Sequence, residues 1–117
     1  MTNGEIVTNY RDNVFAVYYL HQRIEWKQRH GLPVLTMQEE KEQLMKRLLL
    51  FEEITDRIED RRARIIVISR YALGRSVRDI AALLDLSSKT VIGICRETLK
   101  GLAGGPVPTP PYCKIKT

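Results

Sequence analysis

Apolar residues recur along this chain at three- and four-residue steps, and Val and Ile follow that spacing rather than the alternation of strands. The pattern predicts an all-α protein. A first helix is expected from about Val7 to Arg29, with Val14, Val17, His21 and Ile24 on one face and Tyr18 beside them. Gly31 and Pro33 end it, one by permitting a left-handed residue and the other by lacking an N–H. A second helix is expected from Thr36, whose hydroxyl and the Glu39 carboxylate have the spacing of a reciprocal cap. Its stripe is Met37, Leu44, Leu48, Phe51 and Ile58, widened by Leu49 and Leu50, so it should pack on more than one neighbour. Asp60 can cap a third helix, closed by Gly74, with Ile65, Ile66, Ile68 and Tyr71 buried.

Residues 76–91, SVRDIAALLDLSSKTV, then offer two helix starts about ten residues apart. Ser76 with Asp79 suits the first, a helix of about two turns with Ile80, Ala81 and Leu84 inward. Asp85-Leu86 makes a turn, and Ser87 caps a last helix that buries Val91, Cys95, Leu99 and Leu102. Asp85 stands where glycine is common, since the turn asks for a left-handed residue. The opposite face of the last helix carries Ser88, Lys89, Ile92, Gly93, Arg96 and Lys100. Two short helices joined this way read as a helix-turn-helix, whose second helix enters the DNA major groove. Arg and Lys match guanine edges or phosphates, and an exposed Ile92 suits a thymine methyl. Base or near-base contacts are therefore expected from Ser88, Lys89, Ile92, Gly93 and Arg96. Backbone contacts are expected from Arg75, Arg78, Thr90 and Lys100. Gly93 is unusual there, because glycine weakens a helix by about 1 kcal/mol.

The charge sharpens this picture. The 117 residues carry a net charge of +5, with a pI of about 9.4. Residues 1–59 are net −2, residues 60–102 net +5, and the remaining lysines lie at 114 and 116. The basic excess coincides with the two-helix motif, which favours a polyanionic partner. Three regions follow: a helical stretch 1–59, a DNA-binding unit 60–102 and a flexible tail 103–117, rich in Gly and Pro. The Arg61, Arg62 and Arg64 cluster suits phosphates and a solvated helix start equally. The Met37–Ile58 stripe serves as an internal core or as a dimer seam. A single motif reads few base pairs, which tilts the reading toward a homodimer.

The stretch RARIIVISRYALGRSVRDIAALLDLSSKTVIGICRETLKGL carries a family likeness in Arg70-Tyr71, Gly74, Ser76, Asp79–Ala81, Leu84–Ser87, Thr90-Val91, Leu99 and Leu102. It resembles region four, the promoter-reading part of bacterial sigma factors. Helices first and this motif last make the chain similar to small phage transcriptional regulators of the RinA/ArpU type. That resemblance implies a DNA-binding activator of phage late genes, and by its sigma-like face a contact with RNA polymerase.

No catalytic set emerges. His21 and His30 lack partners for a metal or a triad, and the Glu pairs at 39–40 and 52–53 fit solvated faces. An enzyme is not expected, nor a cofactor. Tyr18, Tyr19 and Trp26 are read as packing residues, and Cys95 as a buried, inert thiol. Cys95 and Cys113 have no metal-ligand spacing, which suits a reduced compartment. With no apolar run long enough to span a bilayer and no signal core, the expected place of work is the cytoplasm, with no membrane partner. Two other readings stand beside the regulator. One is a small terminase subunit binding packaging-site DNA. The other is a protein that binds RNA polymerase or another regulator, for which Ile92-Gly93-Ile94 is the best support.

Overall fold

A computed structural model describes residues 2–103 and shows six helices: α1 (Asn3–Thr8), α2 (Tyr10–Arg29), α3 (Leu35–Asp56), α4 (Arg61–Tyr71), α5 (Val77–Leu84) and α6 (Ser88–Ala103). The described residues form no strand, so the all-α expectation holds. Ala103 closes α6, and the remainder of the stretch read as a tail lies outside the described residues.

The expected helix from Val7 to Arg29 begins earlier and is broken. Thr2 caps α1 by accepting from the Glu5 amide at 3.2 Å, and Asn9 (φ −94°, ψ 6°) separates α1 from α2. The break turns Ile6 and Val7 into the core while α2 leaves in another direction.

α2 and α3 form an antiparallel hairpin. The Tyr10 and Phe51 rings lie 4.0 Å apart at one end, and His21 meets Lys41 further along. Gly31, at φ 67°, ends α2 and lets the Leu32 amide reach the Lys27 carbonyl at 2.9 Å. The reciprocal cap at Thr36 does not form. α3 starts at Leu35 after Val34, whose side chain makes no capping hydrogen bond.

α2 buries Asn13, Leu20 and Ile24, so of the predicted Val14–Val17–His21–Ile24 face only Ile24 is buried. Val14 and His21 are exposed, and Val17 is half-buried. Apolar residues run along more than one side of α2, yet α3 covers only one. The other sides stay open, so Tyr18, Tyr19 and Trp26 are exposed rather than packed. Trp26 stacks on His30 at 4.1 Å, with Arg23 over its ring.

The α3 stripe divides as its width suggested. Met37, Leu44 and Leu48 are half-buried along the hairpin, whereas Leu50, Phe51 and Ile54 are buried with Ile58 in the main core. The stripe is therefore an internal seam over its core half.

Asp60 caps α4 by accepting from the Ala63 amide at 3.0 Å. α4 buries Ala63, Ile66 and Val67, with Ile68 and Tyr71 half-buried, but Ile65 is 42% exposed. Its contacts with α3, α5 and α6 turn the covered side about one residue round from the predicted one. The core then draws on both halves of the chain: Ile6, Val7, Phe51, Ile54 and Ile58 join Ile66, Val67, Ile80, Ala81, Val91 and Cys95. The hairpin projects from it, giving a molecule 54 Å long and 20 Å thick. No helix among the described residues is long and apolar enough to cross a membrane.

Candidate nucleic-acid interface

The two helix starts read from residues 76–91 both form. Ser76 accepts from the Asp79 amide at 3.1 Å and opens α5. Ser87 accepts from the Thr90 amide at 3.1 Å and opens α6, and the two hydroxyls share a further bond of 2.8 Å. Between them Asp85 adopts the left-handed conformation, φ 55° and ψ 48°. That residue lets the Leu86 amide close back on the Ala81 carbonyl at 2.9 Å. Gly74 (φ 70°) makes the preceding turn, and a Cβ there would lie 2.5 Å from the Arg11 guanidinium.

The inward sides agree with the sequence pattern. Ile80 and Ala81 of α5 and Val91 and Cys95 of α6 are buried, while Leu84, Leu99 and Leu102 are half-buried. The small Ala81 lets the two helices approach closely. Burying this stripe forces the rest of α6 outward. Ser88, Lys89, Arg96 and Lys100 are exposed, Ile92 is 40% exposed and Gly93 is half-buried. At 100° per residue these six positions share one side of the helix. Thr90 falls off that side, and its hydroxyl is already engaged with Ser87. Arg75 and Arg78 are exposed at the start of α5. Ile94 packs against the core, so Ile92-Gly93-Ile94 is not a continuous apolar surface.

One residue that sequence reasoning left out of the site joins this side. Arg70 lines a shallow cleft of about 250 Å³ with Tyr71, Ile92, Cys95, Arg96 and Leu99. Arg70 and Arg96 thus bring two guanidinium groups to one cleft between α4 and α6. Arg70 also lies over the Tyr71 ring, 5.5 Å from its centre. The Tyr71 phenol is held above its ordinary value of 10.0, first by burial and then by the Cys95 thiol, which donates to it at 3.7 Å; Arg70 acts in the opposite direction. Arg70 enters the sequence reading only through the family likeness and not as a site residue, because its meeting with α6 is tertiary.

Chemically, the exposed side of α6 offers a row of cationic donors, one hydroxyl and one apolar side chain at a width a major groove admits. Of the Arg61, Arg62 and Arg64 cluster, the first two are exposed and Arg64 is half-buried. No family model, no curated protein and no solved structure matches this chain.

Proposed function

We propose that this protein is a sequence-specific double-stranded DNA-binding regulator of transcription, encoded by a phage or prophage, with α5, its turn and α6 acting as a helix-turn-helix. The observation that carries the reading is the exposed side of α6. Lys89, Arg96 and Lys100 stand on the side of α6 away from the buried Val91 and Cys95, with Ser88 and Ile92 exposed at its edge, on a helix whose start is fixed by Ser87. Lys89 and Arg96 would read base edges, Ile92 would meet a thymine methyl, and Ser88 and Gly93 would lie closest to the bases. Arg75, Arg78 and Lys100 would hold phosphates, whereas the Thr90 hydroxyl is engaged with Ser87. Arg70, beside Arg96, adds a further cation to that set. The likeness to sigma region four and to RinA/ArpU-type regulators supports the transcriptional role.

The salt dependence of binding to mixed-sequence duplex DNA tests the interface. Several phosphate contacts predict a steep fall of affinity with salt, with a slope of roughly −0.9 per contact. A flat salt response would overturn it. The polymerase-binding reading keeps Ile92 as its exposed apolar residue, while Ile94 is half-buried against the core. The terminase reading keeps one supporting feature, the open apolar hairpin, and a ring-sized assembly in solution would favour it.

A further inference from the structure

We propose that the open side of the α2–α3 hairpin is a self-docking surface, on which two copies of this chain pair into a four-helix bundle. Val14, Val17 and Tyr18 of α2 and Met45 and Leu48 of α3 line an open groove of about 370 Å³, and Leu49 extends the apolar side. Tyr18 is 65% exposed and Met45 47%. A two-helix hairpin has no second layer to cover such a side, and a further pair of helices is the usual solution. Leu48 and Leu49 belong to the Met37–Ile58 stripe, so the groove takes the part of that stripe that the main core leaves open.

Charge at the rim specifies the occupant. Arg11 and Glu25 share a side of α2 with Val14 and Tyr18, at steps of three, four and seven residues. Lys41 and Glu52 share a side of α3 with Met45 and Leu48, at steps of four, three and four. Because the helices are antiparallel, Arg11 and Glu52 lie at the core end, while Glu25 and Lys41 lie toward the far end. His21 stands between the last two, 3.1 Å from Glu25 and 3.1 Å from Lys41. At the far end the rim is thus negative on α2 and positive on α3, while at the core end the Arg11 guanidinium lies against Gly74 within the chain. Such a pattern complements itself under a two-fold axis.

An axis along the hairpin lays α2 over α3 of the second copy. Glu25 then faces Lys41 of that copy, and Lys41 faces its Glu25. This arrangement also leaves both α6 helices at one end, available to one duplex. The choice of axis rests on the DNA-binding reading, whereas the pairing itself does not. Apolar contact supplies the affinity, and the rim charges fix register and partner.

Sedimentation of the full chain without DNA tests the pairing. The expected species has twice the 13.5 kDa of one chain. Tyr18→Glu with Met45→Glu should yield a monomer of unchanged helical content, while Ile65→Glu, on the exposed side of α4, should stay dimeric. Glu25→Lys should weaken the dimer roughly fivefold, and adding Lys41→Glu should restore it. A wild-type monomer at 100 µM, a ring-sized mass, or a dimer indifferent to the Tyr18 and Met45 changes would overturn the pairing. Failure of Lys41→Glu to rescue would overturn the axis. With no DNA present, a monomer or an indifferent dimer leaves the DNA-binding reading untouched, while a ring-sized mass turns it from the regulator toward the terminase.

Discussion

The side-chain amide of Asn3 donates to the backbone carbonyl of Leu102 at 3.1 Å, across 99 positions of sequence. It ties the first helix to the last turn of α6, where carbonyls otherwise lack helical partners. Beside it, Ile6 and Val7 are fully buried in the core that carries α5 and α6. The unit that would read DNA is thus completed by residues from the other end of the chain. A fragment of residues 60–102 should therefore be unfolded by circular dichroism. Ile6→Ala in the full chain should cost about 2–5 kcal/mol in urea denaturation, whereas Asn3→Ala should cost about 1 kcal/mol.

Asp85 holds the turn between α5 and α6 in the left-handed region at φ 55°. A β-branched residue there meets the full steric penalty, so Asp85→Val should destabilise the fold by roughly 1–2 kcal/mol. Asp85→Gly should not, since glycine adopts that conformation freely. Urea midpoints with an unchanged slope distinguish the two. Equal losses for both variants would mean that the Asp85 side chain, not its backbone, matters.

Arg96 and Arg78 are both exposed, yet their proposed roles differ. Arg96→Ala should weaken binding by about 1–3 kcal/mol and relax the preference at one base position. Arg78→Ala should weaken binding to all sequences alike and make the salt slope shallower by about one. Fluorescence anisotropy on a panel of duplexes at several salt concentrations reads both effects. Arg70→Ala should behave like Arg78→Ala if its cation serves a phosphate.

Tyr71 carries a pH prediction. Burial and the Cys95 thiol hold its phenol above the ordinary value of 10.0. The unfolded chain therefore releases this proton first as pH rises, so ionisation favours unfolding. The contribution is intact below pH 10 and is lost as pH climbs from there through the folded-state value. Tyr71→Phe should flatten that part of the stability curve, read as thermal midpoints between pH 9 and pH 11.

What could be read from the sequence was local. Ser76, Asp60 and Ser87 announced three helix starts because a cap needs only a hydroxyl or carboxylate a few residues before an amide. Asp85 announced its turn, and the Val91–Cys95 spacing fixed which side of α6 faces outward. Where the reading failed, local signals were in balance. Thr36 and Glu39 have the right spacing, but α3 starts at Leu35, which places Thr36 inside the helix. α2 offered apolar residues on several sides, and only the placement of α3 decides that Leu20 is buried and Val14 is not. Ile65 and Val67 are equally apolar, and the contacts of α4 choose between them. Arg70 reaches α6 through tertiary structure alone.

The most direct measurement is selection of bound duplexes from a random DNA pool, run in parallel with wild-type protein and Arg96→Ala. The account predicts an enriched motif for the wild type, with two inverted half-sites if the hairpins pair, and degeneracy at one position of each half-site for the variant. Binding without enrichment would contradict it, leaving the basic side of α6 as a surface for electrostatic attachment alone.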